Sequence, residues 1–67
     1  MTGEEKIRKT LVDLDIYPIG EVNACAIYKQ SGQWHIRKFG ENDFSIGSTT
    51  TEAIETLREM AEARKEG

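Results

Sequence analysis

His35 is the only histidine of the chain and Cys25 its only cysteine. An imidazole ordinarily titrates near neutral pH, so His35 is the residue to weigh as a general acid or base. The residues leading to it are Gly32-Gln33-Trp34, and an ordinary exposed sheet residue is the simpler reading. Cys25 has no second thiol to bridge, and a metal centre takes three or four ligands. The expectation is a chain without catalytic residues, metal or cofactor, with Cys25 as a small core residue. Thr49-Thr50-Thr51 opens a helix and could offer hydroxyls to a phosphate. No glycine-rich loop accompanies it, so helix capping is the simpler role.

Residues suited to binding are better represented. Tyr28, His35, Arg37 and Phe39, beside the small Ala24 and Ala26, share one face of a predicted sheet. Tyrosine and arginine are enriched at interface hot spots, and an exposed apolar patch usually meets a partner. Glu55, Glu59 and Glu62, with Glu52 before them, form an acidic strip along the last predicted helix. Such a strip faces solvent or a basic partner, and it could imitate a phosphate backbone in a salt-sensitive way.

The elements that must position these residues are local in their signals. Thr2 and Glu5 stand at capping-box spacing, and Ile7, Leu11 and Leu14 recur as one apolar stripe. Pro18 is expected to stop this helix and Gly20 to complete the turn. Val22 to Lys29 and Gln33 to Phe39 read as two strands joined by a tight Ser31-Gly32 turn. That turn pairs Lys29 with Trp34, Tyr28 with His35, Ile27 with Ile36, Ala26 with Arg37, and Cys25 with Lys38. Alternation then gathers Cys25, Ile27, Trp34 and Ile36 on one face. Val22, Ala24, Ala26, Tyr28, His35, Arg37 and Phe39 gather on the other. Phe44-Ser45-Ile46 is a short third strand. Thr49 and Glu52 repeat the capping box before a helix whose stripe is Ala53, Leu57, Met60, Ala61 and Arg64. Two amphipathic helices and a three-stranded antiparallel sheet make a two-layer α+β domain of order α-β-β-β-α over residues 1–67. Both helices cover the Ile27/Ile36 face, so the opposite face is left for solvent or a partner.

A chain of 67 residues with a net charge of −3 bounds the rest. Its acidic balance argues against general nucleic-acid binding, which needs a basic surplus. The charge is uneven, with a mildly basic sheet (Lys29, Arg37 and Lys38 against Glu21) and an acidic last helix. No apolar run approaches the ~20 residues of a membrane span. The polar start and the lone thiol place the expectation in the reducing cytoplasm.

Two resemblances bear on function. The element order resembles the double-stranded-RNA-binding domain, which implies RNA recognition. That family uses a histidine-bearing loop between its first two strands and lysines opening its second helix. Here those places hold Gln30-Ser31-Gly32-Gln33 and Thr49-Thr50-Thr51-Glu52. Tyr28…Gly32-Gln33-Trp34-His35-Ile36, followed by Gly47-Ser48-Thr49-Thr50-Thr51-Glu52-Ala53-Ile54-Glu55-Thr56-Leu57, resembles the ββ(β)α unit of HicB-type antitoxins and small phage α/β domains. The chain lacks that family's Pro-Gly strand connection and DNA-binding tail. The resemblance implies a phage or mobile-element accessory protein.

The expected function is a non-enzymatic protein-binding module: a phage-type inhibitor or adaptor docking onto a larger host protein, with nucleic-acid-handling defence machinery as a target class. The alternative is nucleic-acid binding through the sheet, with Tyr28 and Phe39 stacking on bases and Arg37 and Lys38 holding phosphates. A HicA-like ribonuclease using His35 and a structural homo-oligomer are further alternatives.

Overall fold

Thr2 starts the first helix as the spacing predicts: its Oγ1 accepts the backbone N–H of Glu5 at 3.2 Å. In the computed structural model, which describes residues 2–66, α1 spans Gly3–Asp13 and buries Ile7 and Leu11 completely. It ends well before Pro18. The N–H of Ile16 donates to Leu11 O and that of Asp15 to Val12 O, both at 3.0 Å, with Asp15 at φ 56°. This pair of bonds is a Schellman motif, and the buried Leu11 and Ile16 supply its usual apolar contact. Aspartate tolerates the left-handed conformation that the motif requires.

The stretch after Pro18 departs from expectation. Ile19–Ala24 is a short helix, α2, instead of the start of a strand. Gly20 lies inside it, and Val22 points into the core at 2 % exposure, so Val22 does not belong to the open sheet face. Ala24 closes α2 and is likewise off the sheet. Six residues are too few for a helix to hold itself. Arg8 holds this one from α1, donating Nη1 to Val22 O at 2.6 Å and Nη2 to Cys25 O at 3.1 Å. A charged donor thus satisfies carbonyls at the helix end, where the backbone has no partner of its own.

The hairpin follows the predicted register. β1 (Ala26–Gln30) and β2 (Gln33–Arg37) pair Ala26 with Arg37, Ile27 with Ile36, Tyr28 with His35 and Lys29 with Trp34. Ser31 and Gly32 take φ 53° and 76°, the two left-handed positions of a type I′ turn, whose twist matches the strands. The expected Cys25–Lys38 pair lies beyond the ladder, which runs from Ala26–Arg37 to Gln30–Gln33. β3 (Phe44–Gly47) joins the other edge of β2, giving the order β1-β2-β3. Its register steps between Trp34 and His35, so Ile46 stands unopposed between Ser45 and Gly47. This bulge leaves Ile46 buried at 2 %.

α3 (Thr50–Glu66) is capped by Thr49, whose Oγ1 accepts the Glu52 N–H at 3.1 Å. The Glu52 carboxylate accepts the Ser48 hydroxyl at 2.7 Å. Ala53, Leu57 and Ala61 are its buried stripe. α1 and α3 pack on each other and on the same side of the sheet, enclosing Ile27, Ile36 and Ile46. The order is α-β-β-β-α with the small α2 inserted, and the class is α+β. Among the described residues no helix is long and apolar enough to cross a membrane.

Candidate functional site: the helix-free face of the sheet

With both long helices on one side, the other side of the sheet presents Ala26 and Tyr28 from β1, His35 and Arg37 from β2, and Ser45 from β3. Antiparallel neighbours stand within contact distance, so the register alone places Tyr28 beside His35. Their rings stack, with centroids 5.4 Å apart and planes 14° from parallel. Arg37 is exposed one step along β2 on the same side. Phe39 lies past the end of β2, in the turn that follows, and is 89 % exposed.

One residue that sequence reasoning missed organises this face. Asp43, in the loop from β2 to β3, folds back over the sheet, and its Oδ2 accepts the Tyr28 hydroxyl at 2.8 Å. The same oxygen lies 3.5 Å from His35 Nδ1. Nδ1 is buried and has no hydrogen-bond partner among the described residues. The only sequence signal was position: Asp43 precedes β3 directly, and the first pair of that ladder, Phe44 with Ile36, adjoins His35.

The hydrogen bond to Asp43 and, after it, burial raise the Tyr28 hydroxyl above its ordinary pKa of 10.0. Burial first, then nearby anionic groups, raise Tyr17 as well. Alkaline titration followed at 295 nm should therefore show both tyrosines ionising later than a free phenol. Replacing Asp43 by Ala should bring Tyr28 back toward the ordinary range and leave Tyr17 where it was. The sign follows from linkage: a raised folded-state pKa stabilises the fold below the unfolded value, about pH 10, and that contribution fades as pH climbs through the folded value. An unchanged titration in the Asp43→Ala chain would mean the contact does not form in solution.

The loop that carries Phe39 and Asp43 is tied down at its other end. Lys38 Nζ lies 3.1 Å from Glu21 of α2 and 3.8 Å from Glu41, over the Tyr17 ring at 4.9 Å. Ion pairs of this exposure contribute little each. Their joint effect is to hold the loop between α2 and the sheet, while Arg37 has no acid within ion-pair distance among the described residues.

Other candidate residues separate from this face. Glu55, Glu59 and Glu62 are exposed on α3, in the other layer, away from Tyr28 and Arg37. Cys25 is buried and burial pushes its thiol up, away from a nucleophilic thiolate. No group of three His, Cys, Asp or Glu that could hold a metal occurs among the described residues. A cleft of ≈ 180 Å³ lies between Leu14, Ile16, Ala61, Arg64 and Lys65. That is small beside the ~300 Å³ or more of ligand sites, and Arg64 already donates to Ile16 O at 2.8 Å. Compared with protein-family models, curated proteins and solved structures, the chain finds no match.

Proposed function

We propose that this chain is a non-enzymatic protein-binding module that docks through the helix-free face of its sheet onto a larger protein, as an inhibitor or adaptor of the phage type. The reading rests on the Tyr28–His35 stack held by Asp43. An aromatic pair fixed in advance loses little side-chain freedom on association, which is where binding free energy is otherwise spent. Arg37 offers a planar donor to a carboxylate or carbonyl, and Phe39 an exposed apolar anchor. The net charge of −3 favours a protein partner over a nucleic acid for this surface. The acidic strip of Glu55, Glu59 and Glu62 is the alternative surface, one that would meet a basic groove such as that of nucleic-acid-handling defence machinery.

The chain immobilised as bait, in extract of the organism that encodes it, tests the assignment when four forms run together. Wild type and the Glu55→Gln/Glu59→Gln/Glu62→Gln chain should retain the same protein. Tyr28→Ala and Arg37→Glu should each weaken binding of that protein by roughly thirtyfold, the ~2 kcal/mol of a hot-spot residue. Undiminished binding in both sheet variants overturns the sheet face as the interface. Loss confined to the triple-Gln chain moves the interface to α3. A gel shift with single- or double-stranded nucleic acid that disappears in Tyr28→Ala would replace a protein partner by a nucleic acid. Sedimentation of a stable oligomer that Tyr28→Ala dissociates would make the partner a second copy.

A further inference from the structure

We infer that Asp43 is a positioning residue that holds neutral His35 as its Nδ1–H tautomer, so that the face presents Nε2 as a hydrogen-bond acceptor to a donor group of the partner protein. This rests on the sheet face being the binding surface, and it adds the chemistry of one contact.

A neutral imidazole carries one proton, so one nitrogen donates and the other accepts. In free histidine the proton favours Nε2. Here Nδ1 is buried, without a hydrogen-bond partner, 3.5 Å from a carboxylate oxygen. At 3.5 Å no water fits between the two, so a bare lone pair at that place would face the Asp43 anion directly. A proton there faces the anion favourably, by charge attraction across 3.5 Å. The carboxylate therefore selects the proton's position, as a second polar group fixes the tautomer of an imidazole in many sites. The remaining polar groups on this side make no hydrogen bond to Nδ1 among the described residues: Tyr28 gives its hydroxyl proton to Asp43, Arg37 carries only donors, and Ser45, paired across from His35, does not reach the nitrogen.

The consequence lies at the other nitrogen. His35 keeps 20 % of its side-chain surface in solvent, and Nδ1 supplies none of it. Nε2 is thus the only ring nitrogen that a partner can reach, and in this tautomer it carries a lone pair. The group that meets it must donate: a hydroxyl, an amide N–H or an indole N–H. A partner carbonyl or carboxylate at that point would be repelled, although Arg37 beside it would donate to one. The face is therefore selective for a protein segment with a donor placed over His35 and an acceptor over Arg37.

Long-range ¹H–¹⁵N correlation of the imidazole reads the tautomer in the free chain, at a pH above the ordinary imidazole range. Nδ1 should appear at the protonated, pyrrole-like position and Nε2 at the unprotonated, pyridine-like position. In Asp43→Ala the two signals should exchange places, because water then reaches Nδ1 and the solution preference returns. In Tyr28→Phe, which keeps the ring but frees Asp43, the wild-type pattern should persist. A wild-type spectrum with the proton on Nε2 overturns the inference, whether or not any variant folds. A folded Asp43→Ala chain with the wild-type pattern overturns the role of Asp43. Neither outcome depends on a partner, so failure here is separate from failure of the binding assignment.

Discussion

Ile36→Ala should lower the melting temperature on the order of 10–40 °C, or leave the chain unfolded at 25 °C. Ile36 is 0 % exposed on the central strand, paired with Ile27 on one side and Phe44 on the other. Removing its branched side chain leaves a void that two pleated neighbours and two helices cannot close. Such truncations cost about 2–5 kcal/mol. A 67-residue domain has in total only about 3–10 kcal/mol, at roughly 0.05–0.15 kcal/mol per residue. Each kcal/mol moves the midpoint of a domain this size by about 4–8 °C. Ile36→Val should cost about 0.5–1.5 kcal/mol, and Arg37→Ala, one residue on and exposed, within about 0.5 kcal/mol. Thermal and urea unfolding followed by far-UV circular dichroism would rank the three. A melt of Ile36→Ala within a few degrees of wild type would mean that Ile36 is not at the centre of the core.

Gly47→Ala is also expected to be strongly damaging, although it adds only a methyl group. Gly47 ends β3 at φ 149°, a region closed to residues with a Cβ. A Cβ there would stand 2.8 Å from Glu52 Cβ, 2.9 Å from Ala53 N and 3.0 Å from Glu52 C. Two of those three atoms are backbone of the first turn of α3, which the capping bonds hold in place. Backbone strain and overpacking cost about 1–3 kcal/mol each. Gly32→Ala is the internal comparison: its φ is 76°, but nothing stands within 4 Å of the added carbon. It should lose only the left-handed penalty, about 1–2 kcal/mol. Equal denaturation midpoints for the two variants would show that the α3 contact adds nothing.

These two positions explain why the site can be firm on so small a body. The core side of the sheet fixes Ile27, Ile36 and Ile46, and the pleat then fixes where Ala26, Tyr28, His35 and Arg37 stand on the other side. Gly47 allows β3 to turn directly into α3, which leaves the whole helix on the core side. Nothing of α3 is spent covering the face that carries the Tyr28–His35 stack.

How much of this was legible from residues alone depends on the range of the forces involved. Both helix N-caps were, because the Thr2 hydroxyl accepts the Glu5 N–H and the Thr49 hydroxyl the Glu52 N–H within one turn of chain. The hairpin register was legible for the same reason: Ser31 and Gly32 fit a two-residue turn, and the turn dictates every pair after it. From that register came the core face, the open face and the adjacency of Tyr28 and His35.

The rest came from contacts between distant parts of the chain. α1 ends at a Schellman motif because Ile16 finds the core beside Leu11, not because Pro18 blocks the helix. Val22 looks like a strand residue, yet α2 forms because Arg8, fourteen positions earlier, reaches its carbonyl. The bulge at Ile46 reflects what the core will accept, which no spacing of two reveals. Asp43 gained a role only when the loop brought it to Tyr28, fifteen positions away. Local hydrogen bonds and alternation wrote the sheet, its two faces and the helix starts into the sequence. Burial and long-range charge decided where the helices stop, which loop closes over the sheet, and which nitrogen of His35 faces outward.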